Sequence, residues 1–254
     1  MNLRILGCSG GVAQGLRTTS LLINDSILID AGSGVGDLTL DEMSRIKHIF
    51  ITHSHLDHIS FLPLLLDSVF DHVFEPITVH AQPITIKALK DHIFNWTIWP
   101  DFSTLPHPDK AVLQFQEMQI QETRTIENIN FHMIEMNHIV PTVGYLVEQG
   151  EKRFAFSADT STNDNFWQKL NECESLDMLI VETAFPETEK DLAIIAKHYT
   201  PSLLAEDLKK LKLKPKIYLS HLKPGGESQI IDEVNQLCPN IACKILRNGD
   251  KFKL

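Results

Sequence analysis

In the first fifty residues the apolar positions fall in short runs bounded by glycine or polar turn residues: NLRIL at 2–6, TSLLI at 19–23, SILID at 26–30 and HIFIT at 48–52. Runs of this length, rich in isoleucine and leucine, predict strands. After His58 the spacing changes. Ile59, Leu62, Leu65, Leu66 and Val69 recur every three or four residues, which predicts a helix with Ser60 as its cap and Pro63 in its first turn. Further strands are predicted at ITVHA (77–81), VLQF (112–115), INFHMIEM (129–136), GYLVEQ (144–149), RFAFSA (153–158), DMLIVET (177–183), KIYLSH (216–221) and CKILR (243–247). Helical spacing falls at about 35–45, 83–95, 164–173, 188–197, 201–211 and 227–237.

Hairpin-like order early and alternating strands and helices later fit two packed sheets flanked by helices better than one parallel sheet. No linker, low-complexity tract or short repeat interrupts the chain, so one α/β domain over 1–254 is expected. The least regular stretch is WTIWPDFSTLPHPDK at 96–110. Its prolines and aromatics suggest an insertion lying over a surface, and the segment from about 81 to 128 is the candidate lid.

Composition narrows the class. With 43% hydrophobic residues, the 254-residue chain can bury a sizeable core. Its 23 Lys+Arg against 33 Asp+Glu give a net charge of −10, which argues against nucleic acid as a partner. No apolar run approaches the roughly 18 residues of a membrane span, and MNLRILGCSGG enters strand-like sequence without a signal-peptide core. A soluble cytoplasmic protein without a membrane partner is expected, with a homodimer as the candidate assembly. Cys8, Cys173, Cys238 and Cys243 form no CxxC pair and read as reduced thiols.

The chemistry concentrates in His53-Ser54-His55-Leu56-Asp57-His58, which follows the apolar run Ile49-Phe50-Ile51. Neutral imidazoles and a carboxylate suit zinc and similar first-row ions, and a strand end fixes their directions. His138, Asp159 and His221 also stand at the exits of apolar strands. Strands of a sheet bring their same-side ends together, so these residues can converge on one centre. Asp30, at a strand end before a glycine turn, either supports a ligand imidazole from behind or caps the turn.

At these residues the sequence resembles the metallo-β-lactamase superfamily, whose HxHxDH motif is matched by His53, His55, Asp57 and His58. The resemblance implies an αββα four-layer sandwich and two divalent metal ions, zinc first, with manganese or iron(II) as alternatives. It also implies that His53, His55 and His138 hold one ion, that Asp57, His58 and His221 hold the other, and that Asp159 bridges them. Lys197-His198-Tyr199-Thr200-Pro201 resembles the segment of ribonuclease Z and its relatives in which a histidine assists the leaving group, with Glu182 in VETAF as its partner; lysine replaces the usual glycine. Closer still is the likeness to class II cyclic-nucleotide phosphodiesterases, carried by HSHLDHI, AKHYTPSLLAEDLKKL and IYLSHLKPG, although Ser60-Phe61-Leu62-Pro63 departs from the family pattern.

That likeness implies hydrolysis of cAMP or cGMP to a 5′-monophosphate by a hydroxide bridging two ions roughly 3.5–4 Å apart. Asp57, Glu182 and His198 would be the catalytic side chains, His198 donating to the departing oxygen. Trp96, Trp99 and Phe102 are the candidate contacts to the base. The alternatives are a tRNA 3′-processing endoribonuclease, a small-molecule thioester or lactone hydrolase, and a metal or nucleotide sensor without catalysis.

Overall fold

The computed structural model of the chain describes every residue except Phe74. Two seven-stranded sheets form its centre. The first contains β1 (Asn2–Gly7), β2 (Ser20–Ile23), β3 (Ile27–Ile29), β4 (His48–Phe50), β5 (Ile77–Ala81), β6 (Leu113–Glu117) and, beyond β1, β14 (Lys251–Lys253). The second runs in the order β13 (Cys243–Ile245), β12 (Lys216–Ser220), β11 (Met178–Glu182), β10 (Lys152–Phe156), β9 (Thr142–Gln149), β8 (Ile129–Met136) and β7 (Thr123–Ile126). Each sheet is part antiparallel and part parallel: β3 to β6 run parallel in one, β10 to β13 in the other.

Alternation along the strands separates the layers. Leu21, Ile23, Phe50, Phe154, Phe156 and Ile180 point between the sheets, where they meet Phe131 and Tyr145. Their neighbours Leu22, Ile49 and Ile51 face outward onto α3 (Leu62–Ser68) and α4 (Pro83–His92). Leu179 and Val181 face outward onto α5 (Asp164–Asn171), α7 (Pro201–Leu208) and α8 (Glu227–Leu237). Sheets covered on both faces explain why SLLI, ILI and MLIVE are buried at every position. The four expected layers are present.

The predicted strands are all found, but several helices are shorter or divided. The pattern after His58 is two helices, α2 (Leu56–Ile59) and α3; Ser60 ends the first, its N–H bonded to Leu56 O, and does not cap the second. The 35–45 region is a 3-10 turn at Ser33–Asp37 followed by α1 (Leu40–Ser44), which Thr39 and Glu42 close with reciprocal hydrogen bonds. The 188–197 pattern becomes a 3-10 turn and α6 (Lys190–Ala196). All four cysteines are free. Among the described residues no helix is long and apolar enough to cross a membrane.

The segment from 81 to 128 supplies α4 and the edge strands β6 and β7. Because β5 and β6 are parallel, α4 carries the chain back past β5, and residues 93–112 lie where β5 and β6 begin. Hydrogen bonds fix this placement: Leu113 N–H donates to Phe102 O, and Ile77 N–H donates to Val112 O. The His53–His58 motif follows the other end of the parallel strands, so this stretch does not cover it.

Candidate metal centre

His53 and His55 come from the loop after β4, and Asp57 and His58 sit in α2, whose N-cap is His55. His138 follows β8, Asp159 follows β10 and His221 follows β12. Two close backbone approaches set the loops. A Cβ on Gly32 would lie 2.3 Å from Asp57 O, and one on Gly10 would lie 2.4 Å from His221 O, so only glycine lets these turns touch.

The side chains converge as two groups sharing one carboxylate. His53, His55, His138 and Asp159 form one set, and Asp57, His58, His221 and Asp159 the other. Asp159 Oδ2 lies 3.6 Å from His53 Nε2 and 3.9 Å from His138 Nε2; its Oδ1 lies 3.4 Å from His58 Nε2 and 3.2 Å from His221 Nδ1. His53 Nε2, His58 Nε2, His221 Nδ1 and Asp159 Oδ1 are buried and have no hydrogen-bond partner. Orphaned buried acceptors are costly. Several converging on one point from imidazole and carboxylate are the donor set of a first-row cation, and each group can hold a metal ion.

Supporting contacts orient the rings. Asp30 is fully buried and meets the cluster at His58, whose Nδ1 lies 2.7 Å from Asp30 Oδ2. It also accepts from Thr52 N–H and Thr52 Oγ1, each at 2.8 Å, so it fixes the strand exit as well. Burial pushes the Asp30 carboxyl up, against the pull of His58 and Thr52. His138 Nδ1 lies 3.1 Å from Lys197 O, which leaves Nε2 for the cluster. Thr52 and the Lys197 carbonyl were not anticipated. Thr52 carried only its place beside the motif, and a backbone carbonyl leaves no trace in residue identity.

Glu182 and His198 are brought together beside the cluster. His198 Nδ1 lies 2.7 Å from Glu182 Oε1, and its ring centroid is 4.8 Å from that of His138. Glu182, fully buried, also accepts from the N–H groups of Thr160, Ala184 and Tyr199 at 2.9, 3.0 and 3.3 Å. Burial acts to discharge His198, but the Glu182 carboxylate outweighs it and raises the imidazole above its ordinary value. Tyr199 is anchored in turn, its hydroxyl 2.5 Å from Asp207 Oδ2. Neither His198 nor Glu182 belongs to the two metal-holding groups.

A sequence model described as a beta-lactamase superfamily domain matches residues 25–222. The chain belongs to the metallo-β-lactamase superfamily. It is 28% identical to a probable 3′,5′-cyclic-nucleotide phosphodiesterase of Yersinia pestis over 87% of this chain and 77% of that one. A ribonuclease Z of Pyrococcus abyssi is 29% identical over 54% of this chain and 43% of that one. Unliganded yeast PDE1 superposes with a TM-score of 0.84 at 19% identity, covering 100% of this chain and 99% of that one. Membership in the superfamily makes the chain a metallo-hydrolase by family.

The aromatic residues expected at the base do not join this site. Phe102 is 3% exposed and packs with Phe70 and Phe94, ring centroids 5.6 and 6.4 Å away. Trp99 is half-buried against the same core, and Trp96, though its side chain is exposed, is bonded through its backbone N–H to Trp99 O. All three lie at the start of the parallel strands, opposite the cluster, and the assignment of Trp96, Trp99 and Phe102 to the substrate is corrected accordingly. Exposed apolar side chains at the cluster end are instead Leu56, next to His55, and Ile139, next to His138. Of the remaining histidines, His48 lies 3.1 Å from His80, and His132 lies 2.5 Å from Glu148.

Proposed function

We propose that the chain is a phosphodiesterase that hydrolyses 3′,5′-cyclic nucleotides to 5′-monophosphates, with two zinc ions as its cofactors. The observation that carries this reading is the buried Glu182–His198 pair placed next to, but outside, two groups of metal-holding side chains that share Asp159. His53, His55 and His138 would hold one ion, Asp57, His58 and His221 the other, with Asp159 between them. When bound, the two cations supply charge stabilisation for phosphoryl oxygens and acidify water.

The chain's own residues do the rest. Glu182 fixes Nδ1 of His198, so Nε2 is the nitrogen left to donate a proton to the departing 3′ oxygen. Asp30 and the Lys197 carbonyl keep His58 and His138 turned toward the cluster. Leu56 and Ile139 offer an apolar rim on which the base rests. The names of the Yersinia pestis relative and of an Aliivibrio fischeri relative, 24% identical over 82% of this chain, support this substrate.

A ribonuclease Z reading is favoured by the likeness to the Pyrococcus abyssi protein and by the same Glu/His pair. Charge ranks it second, since a chain of net charge −10 releases few counterions from tRNA. Turnover of cAMP, cGMP, a 2′,3′-cyclic nucleotide, precursor tRNA and a thioester, each with added zinc or manganese, tests the proposal. Preference for a 3′,5′-cyclic nucleotide is expected; precursor tRNA cleaved at a comparable rate would overturn it.

A further inference from the structure

At the end of the second sheet remote from the histidine cluster, a groove of about 500 Å³ lies between the connection from α7 to β12 and the connection from α8 to β13. Its floor is apolar. Leu208 and Ile217 belong to the core beneath, and Leu211, Leu213 and Ile241 are half-buried against it. Its rim is cationic: Lys212, Lys214, Lys216 and Lys244 line it, and no Asp or Glu does. In the stretch 211–216, lysine alternates with Leu211, Leu213 and Pro215, so that charged heads stand exposed while the apolar side chains turn inward.

The neighbouring Lys209 and Lys210 are neutralised by Glu206, Asp164 and Asp207. The four rim lysines have no ion pair among the described residues. A chain of net charge −10 that gathers four uncompensated cations round one apolar cleft focuses positive potential there against its overall sign. The volume is that of a small-molecule site.

We propose that this groove binds an organic anion with an apolar body, its carboxylate or phosphate held by the lysine rim and its body laid on the leucine and isoleucine floor. The site is distinct from the metal centre. Lys216 opens β12 and His221 follows its last residue, so the two are separated by the strand's full length, roughly 15 Å. Several weak exposed pairs acting together, with the apolar area beneath them, are what such a ligand needs.

The test is a fluorescence titration of the purified full chain with 8-anilinonaphthalene-1-sulfonate, an anion of this chemistry, at rising salt. Saturable binding that weakens with salt is expected. The double variant Lys214→Gln/Lys244→Gln should bind roughly tenfold more weakly, with a flatter salt dependence. Ala242→Trp, at an exposed groove position, should block binding while leaving the charges in place. Both variants should keep the far-ultraviolet circular dichroism and the hydrolytic turnover of the parent.

Displacement of the dye by decanoate but not 1-naphthoate would assign an aliphatic ligand, the reverse an aromatic one, and displacement by both would support the shared chemistry. Unchanged affinity in the folded double variant, or no binding by any of the three probes at millimolar concentration, would overturn the proposal. So would retention of polyglutamate or an oligonucleotide alone, which would make the groove a macromolecular surface.

Discussion

Strand β12 begins at Lys216, in an apolar groove rimmed by lysines, and leads at its other end to His221, in a cluster of imidazoles and carboxylates. The first sheet shows the same polarity: Phe102 packs where β6 begins, and the HSHLDH motif leaves the far end of β4. The two ends differ in how the backbone arrives. At the cluster end Asp30, Ala158 and His221 adopt positive φ (58°, 51° and 60°), which turns the chain sharply and aims the following or resident side chain inward. At the opposite end helices run into strands through connections whose apolar side chains, Leu211, Leu213 and Phe102 among them, pack on the core, and of these connections' residues Trp96 has a positive φ, 64°. Parallel strands thus gather the metal-holding side chains at one end, as expected for open α/β sheets.

The largest effect expected from this contrast is at Asp159. Asp159→Ala removes the one carboxylate common to both groups and leaves the facing imidazoles without a counter-charge. Elemental analysis should find less than one metal equivalent per chain, and hydrolysis should fall to background. Retention of two equivalents would show that the shared carboxylate is not what joins the two groups.

His198→Ala should come next. Metal content should stay at the parent level while turnover of the cyclic nucleotide falls by roughly 10²–10⁴-fold, as for loss of a general acid. Bis(p-nitrophenyl) phosphate, whose leaving group needs no proton, should be far less affected. The pH profile carries the sign. Because Glu182 raises the His198 imidazole above its ordinary value, the cyclic-nucleotide rate should fall as pH rises through that raised value. The alanine variant should lack this alkaline limb, and Glu182→Gln should move it to lower pH. Loss of one metal equivalent in His198→Ala would make His198 a ligand.

How far the sequence carried this picture follows from the same contrast. SLLI, ILI and MLIVE were legible as strands because burial on both faces demands unbroken apolar runs. The histidines and aspartates were legible because polar residues at the exits of such runs have little structural reason to be there. Thr123–Ile126 and Lys251–Lys253 were not, since edge strands with exposed alternate positions owe their pairing to backbone hydrogen bonds. Trp96, Trp99 and Phe102 were misplaced because aromatics serve a core as well as a ligand. The order of elements held the missing signal: a segment after a helix and before a parallel strand lies at the start of that strand.

Phe102→Ala separates packing from chemistry at the remote end. The side chain is buried among Phe70 and Phe94, and its loss should destabilise the fold by about 3–5 kcal/mol in denaturant titration. Activity per folded molecule should be unchanged. A raised KM at parental stability would return Phe102 to the substrate.

The smallest effect expected compares two exposed apolar residues, Ile139 at the cluster end and Trp96 at the other. Ile139 follows His138, and on the proposed reading a base held over the cluster rests on it. Ile139→Ala then removes about 1 kcal/mol of contact, or roughly fivefold in KM, with kcat unaltered because the contact is equal in ground and transition states. Trp96 has the larger apolar surface and by composition alone is the better partner for a purine. Its place beyond α4, where β5 and β6 begin, removes it from the reaction, so Trp96→Ala should leave both KM and kcat unchanged. Steady-state kinetics on the two variants decide whether position along the strand or side-chain type governs contact with the base. A KM that rises in Trp96→Ala and not in Ile139→Ala would reverse the polarity drawn between the two ends.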